Sequence, residues 1–135
     1  MRKYVMLGVL LVAGLGAVQK SMVQHHTSHV SSSVSSASLS EADKVERLIE
    51  FVRDMKGATF IRNGFEHTAQ EAADHLQSKW RKHRKKVKSA KGFVEELASR
   101  SGLTGIAYRI RFQDGTTLTT NQVLTQELER LEEQP

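Results

Sequence analysis

Cysteine is absent from the 135 residues. That removes disulfides, thiolate metal sites and a cysteine nucleophile. It leaves the compartment open, since exported proteins also do without cysteine. An apolar run long enough to cross a bilayer is missing as well. Tyr4 to Val18 carries no charge, but as a helix it reaches only roughly 22 Å, short of a hydrocarbon core of roughly 30 Å. No internal repeat and no zinc-finger or metalloprotease signature is visible. The length allows one domain, and the part beyond the first forty residues is large enough to bury a small core without crosslinks.

What is present at the start is a basic Met1-Arg2-Lys3, the short apolar run, and the small residues Gly14, Gly16 and Ala17. Together they describe a secretory signal peptide over residues 1–18. Leu15 and Lys20 make a poor cleavage site, so an uncleaved N-terminal anchor is the alternative. No cysteine follows the run, which excludes a lipoprotein. The expected location is therefore exported, either periplasmic or anchored in the inner membrane. Residues 19–39 are rich in serine and aperiodic, with too little apolar mass to offset the entropy of ordering, and read as a flexible linker. His25, His26 and His29 within it are read as solvated side chains, with a weak, non-specific metal tract as the alternative.

Residues 40–135 form the expected folded domain. Ser40 to Asp43 resembles a capping box, and Val45, Leu48, Ile49, Val52 and Met55 recur at helical spacing, which predicts a first helix from Glu41 to Lys56 stopped by Gly57. Ala58 to Arg62 reads as a strand ended by the Asn63-Gly64 turn. Thr68 with Glu71 makes a second capping box, and Ala69, Ala72, Ala73, Leu76 and Trp80 the apolar face of a second helix. Ser89 caps a third helix with Phe93, Val94, Leu97 and Ala98 buried. Tyr108 to Phe112 alternates as a strand does, Asp114-Gly115 turns, and Thr116 to Thr119 returns. Thr119 or Thr120 caps a last helix carrying Val123, Leu124, Leu128 and Leu131. The order predicts an α+β fold, with a small antiparallel sheet of two or three short strands packed with about four helices.

The run Phe60-Ile61-Arg62-Asn63-Gly64, with Glu71-Ala72, His75-Leu76 and Lys79 beyond it, resembles the YfeK-like family of small exported bacterial proteins. Ser89-Ala90-Lys91-Gly92-Phe93-Val94, Leu97-Ala98-Ser99, and Gly105 before Tyr108-Arg109-Ile110 fit the same pattern. The resemblance covers roughly Ala42 to Leu131 and implies export. It implies no activity, because the family is of unknown function. The family also accepts tyrosine where His67 stands, which argues against a metal role there.

Two groups of residues are candidates for function. Glu71 and His75 lie one helical turn apart, with His67 before the cap and Arg62 and Asn63 at the strand end. A functional reading makes Arg62 an anion anchor and Glu71/His75 an acid/base or ligand pair. A structural reading spends Glu71 on the cap, His75 on a carbonyl and Arg62 on the turn. The second group is Lys79, Arg81, Lys82, Arg84, Lys85, Lys86, Lys88 and Lys91. Without Arg2 and Lys3 the chain holds 18 basic and 15 acidic residues, and eight of the basic ones lie in this run, leaving 10 against 15 elsewhere. Such a run attracts polyanions, and Trp80 beside it could sit among headgroups. Alternatively the run pairs with Glu127, Glu129, Glu132 and Glu133 of the last helix, and Trp80 is core.

The leading expectation is an exported envelope protein that binds through its basic face or the Arg62-Asn63-Gly64 turn, without catalysis, cofactor or metal. Its expected partners are anionic envelope components, phospholipid headgroups or glycans, or another envelope protein. The alternatives are a small hydrolase-like enzyme using Glu71 and His75, and a nucleic-acid-binding module using residues 79–91. The latter requires that the chain not be exported.

Overall fold

The computed structural model describes residues 38–134. The signal-like segment, the linker up to residue 37 and its three histidines lie outside the described residues. Leu39, which the sequence placed in the linker, packs against the core.

Helix α1, Glu41–Arg53, opens as its sequence predicts. The Ser40 Oγ accepts the Asp43 amide at 3.1 Å and donates to the Asp43 carboxylate at 2.6 Å. It ends three residues earlier than expected. The Asp54 amide still bonds to Glu50, but the Met55 and Lys56 amides turn to Val52 and Asp54, and Gly57 takes φ +90°. That tightening reverses the chain into strand β1, Thr59–Arg62.

Asn63 and Gly64 both adopt positive φ (52° and 82°), as a two-residue hairpin matched to strand twist requires. They join β1 to a strand the sequence reading missed: β2, Phe65–His67, with Arg62 opposite Phe65 and Phe60 opposite His67. Helix α2, Ala69–His83, follows with the reciprocal Thr68–Glu71 capping box in place. Ser89 caps α3, Ala90–Gly92, through the Gly92 amide at 3.0 Å, and the helix continues as a π-helix over Phe93–Ala98. Strands β3, Arg109–Arg111, and β4, Thr117–Thr119, then lead into α4, Thr120–Glu133, capped by Thr119 and Gln122.

The fold is α+β. Among the described residues the sheet has four strands in the order β2-β1-β3-β4, all neighbours antiparallel. His67, Phe60, Ile110 and Leu118 pair in one row across it, on the face that carries the buried Phe60 and Ile110 into the core with the helices. The opposite face carries Glu66, Ile61, Arg109 and Thr119 in register, with Arg111 paired to Glu66 across β1. Helix α1 packs on α2, as the small Ala69 and Ala73 allow, and Arg53 bonds to Asp74 between them at 2.7 Å. Glu41 ties α1 to the start of α3 by accepting the Ala90 amide at 2.7 Å, and Lys44 ties it to Glu132 of α4 at 2.9 Å.

Trp80 is core. It is 6% exposed and meets the Phe93 ring edge-on, centroids 5.9 Å apart. It is therefore not placed to enter a headgroup layer.

Candidate functional site

The Thr68 cap and the antiparallel pairing of β1 with β3 decide what meets at one end of the sheet. Arg62 arrives at the end of β1, His67 at the end of β2, Glu71 and His75 on successive turns of α2, Tyr108 just before β3, and Thr120 at the start of α4. These six residues line one part-enclosed cleft together with Arg109 of β3, with Phe60, Ile61, Ala72 and Leu76 as its apolar wall. Its empty volume is about 360 Å³ out to the open mouth, but the space open to the centre of a water molecule is only about 30 Å³. Only a small molecule would fit without rearrangement.

Four of the five residues singled out around the turn thus converge: Arg62, His67, Glu71 and His75. Asn63 does not line this cleft. It borders a shallower depression on the far side of His75 and Tyr108, shared with Arg62, Lys79 and Leu103. Its side chain accepts the Thr104 hydroxyl at 2.7 Å, pinning the loop before β3.

Glu71 is committed to the cap. Its carboxylate accepts the Thr68 amide at 2.8 Å and the Thr68 hydroxyl at 3.2 Å, and these bonds hold its pKa below the usual carboxylate range. His75 points elsewhere. Its Nε2 is 3.3 Å from the Tyr108 hydroxyl, and the two rings meet edge-on. Burial first, then the positive charges of Arg62, Lys79, His67 and Lys82, depress its pKa from 6.5 to about 4. At neutral pH it is therefore uncharged. Lys79 donates to the same Tyr108 hydroxyl at 3.3 Å and to the Arg100 carbonyl at 3.1 Å, and also bonds to the Leu97 carbonyl at the end of the π-helix. An ammonium can only donate, so the tyrosine accepts from Lys79 and its own proton is available to His75 Nε2. Burial, then Arg62, lowers the Lys79 pKa, while burial raises that of Tyr108.

Two polar atoms of the cleft residues are left over. His67 Nε2 and Thr120 Oγ1 are buried without a hydrogen-bond partner among the described residues. Thr120 is 2% exposed. A buried polar group without a partner costs on the order of 1–3 kcal/mol, so both atoms call for a partner from solvent or a ligand. Arg62 likewise forms no ion pair among the described residues. Tyr108 and Thr120 escaped the sequence reading as site residues. Each is more than thirty residues from His75, and only the sheet pairing and the Thr120 amide bonded to the Tyr108 carbonyl bring them in.

The basic run divides. Lys79 leaves it for the Tyr108 bond, whereas Arg81, Lys82, Arg84, Lys85, Lys86, Lys88 and Lys91 are exposed. Within this exposed set one ion-pair contact forms, Lys91 to Glu95 at 3.9 Å. The alternative in which α4 carboxylates neutralise the run does not form: Glu132 pairs with Lys44 and Glu127 with Arg130. Geometry explains this, since those carboxylates face α1 and their own helix. Arg81 and Lys82 also stand in the last turn of α2, where positive charge offsets the carbonyl end of the helix.

Fold and site together define, over the described residues, a small α+β protein with a part-enclosed cleft at the end of its sheet. Residues 39–132 match the model of a family of unknown function, DUF5329, and the chain belongs to that family. It is similar to the uncharacterized protein YfeK of Salmonella typhimurium, with 32% identity over 68 residues, half of this chain and 57% of that protein. The aligned part thus spans little more than half the length of that relative. No solved structure matches the chain.

Proposed function

We propose that the protein is an exported, non-enzymatic binding module of the cell envelope, and that the cleft lined by Arg62, His67, His75 and Thr120 is its binding site. Export rests on the basic start and short apolar run of residues 1–18. The observation that carries the binding site is the pair of buried, partnerless polar atoms, His67 Nε2 and Thr120 Oγ1, on residues of the same cleft. Catalysis by Glu71 and His75 lacks such support: Glu71 is held by the Thr68 cap, and His75 faces Tyr108 with little basicity left.

An Ala72→Trp substitution tests the site, because Ala72 stands part-exposed on the cleft wall. Full-length protein is screened against small-molecule mixtures by ligand-observed NMR. Hits that bind the native chain and are lost from a folded Ala72→Trp variant are the expected result. Hits that survive the plug, or no hits at all, sink the reading. Export is checked by fractionation with intact mass. A periplasmic species shortened by about seventeen to twenty-one residues or a full-length membrane species is expected, and a full-length cytosolic one overturns it.

A second reading is favoured by the exposed cations from Arg81 to Lys91, seven side chains with a single carboxylate contact. In an exported protein this surface suits anionic phospholipid headgroups, each cation contributing about 1 kcal/mol near such a surface. Vesicles of phosphatidylglycerol against phosphatidylcholine test it. Binding to neither, or binding to an anionic glycan alone, removes the headgroup assignment.

A further inference from the structure

We infer that the cleft takes a small monocarboxylate with a short hydrocarbon tail, an inference that rests on the cleft being the binding site proposed above. Charge comes first. Arg62 lines the cleft with no ion-pair partner among the described residues. It is also the leading charge acting on His75, Lys79 and Tyr108. A guanidinium in this position offers two parallel donors to a carboxylate.

Donors come second. The Thr120 hydroxyl is buried, partnerless and on the first residue of the 14-residue α4, where the helix start adds positive partial charge. His67 Nε2 is the second buried atom in need of a partner. A carboxylate has two oxygens and about four acceptor directions, enough to serve Arg62 and Thr120 together and to meet His67 as a donor. The walls come third. Phe60, Ala72 and Leu76 present carbon to the cleft, which suits a tail of about two to four carbons in a space this narrow.

The same features turn away the competing classes. Glu71 lines the cleft as a lowered-pKa carboxylate beside Arg62 and Arg109, so a second negative charge on the ligand adds repulsion from Glu71 to the attraction of the guanidinium groups. Inorganic phosphate has no hydrocarbon tail to cover Phe60, Ala72 and Leu76. Among the described residues no group of three His, Asp or Glu side chains could hold a metal ion.

The test uses the full-length chain and reads the histidine ring signals. Propionate, propionamide and inorganic phosphate are titrated separately. Propionate is expected to move the His67 and His75 signals saturably in the millimolar range, with propionamide about tenfold weaker. Arg62→Gln brings propionate down to the propionamide level, and Thr120→Val weakens both ligands. Anion binding beside His75 also raises the pH at which its ring titrates.

Equal affinity for propionate and propionamide overturns the carboxylate assignment and leaves the cleft as a binding site. No movement of either histidine with any of these ligands, together with no cleft-dependent hit in the wider screen, overturns both. Phosphate binding more tightly than propionate replaces the monocarboxylate with a polyvalent anion and overturns the inference. Should Arg62→Gln not fold, the propionate–propionamide comparison on the native chain decides alone.

Discussion

A single ring carries the clearest consequence of the cleft. His75 titrates near 6.5 when unfolded and at about 4 in the fold, so between those values the unfolded chain binds the extra proton. Stability therefore rises with pH across that window and is lost as pH falls from about 6.5 towards 4. Because the ring is only part-buried, the amount is on the order of 1–2 kcal/mol rather than the full value of the shift. In His75→Gln, chemical denaturation between pH 7 and 5, above the main carboxylate range, is expected to show a flatter pH dependence than the native chain. An unchanged slope would mean that the ring is solvated after all. Glu71 illustrates how far residue-scale reasoning reaches: its cap was legible because Thr68 is three residues away. The His75–Tyr108 bond was not, because no local pattern announces a partner 33 positions on.

At the scale of elements, the hairpin turn and the π-helix are each held by one side chain near the cleft, Asn63 and Lys79. Asn63 combines a left-handed φ with a side chain that holds Thr104. Asn63→Ala is expected to cost about 1–3 kcal/mol, since alanine resists positive φ and drops the bond. Asn63→Gly, which accepts the φ, is expected to lose only the side-chain part. Thermal melts of the pair separate the two contributions, and equal losses would refute the strain argument. Lys79 closes the end of the π-helix through the Leu97 carbonyl and reaches on to Arg100 and Tyr108. Lys79→Met keeps the stem and removes the donors. An expected loss of roughly 1–3 kcal/mol of stability follows from unpaired carbonyls, with a rise in the pH at which His75 titrates as a neighbouring positive charge goes. The four main helices announced themselves through caps and three-to-four spacing. Strand β2 did not, because three residues, Phe65 to His67, are too few to display a period of two and Phe65 is 72% exposed.

For the whole molecule, charge is segregated. Seven exposed cations lie between Arg81 and Lys91, while on α4 Glu132 pairs with Lys44 and Glu127 with Arg130. Replacing Lys82, Lys85 and Lys86 together with glutamine is expected to leave the melt nearly unchanged, within about 0.5 kcal/mol per site. The same variant is expected to lose most of its salt-sensitive attachment to phosphatidylglycerol vesicles. A large drop in stability would instead show that the run is structural.

The sequence by itself determined the α+β class, the helix starts at Ser40, Thr68 and Ser89, the last one to within Thr119 or Thr120, the turn at Asn63-Gly64 and the core stripes, because caps, turns and periodicity act over a few residues. It also determined where positive charge is dense. Only the tertiary structure decided that Trp80 is core, that Lys79 turns inward, and that Arg62, His67, His75, Tyr108 and Thr120 share one cleft. Those facts depend on the antiparallel register of β1 with β3 and on where α4 begins. Pairing between strands some fifty residues apart is set by how the whole core closes, and no short stretch of chain contains it.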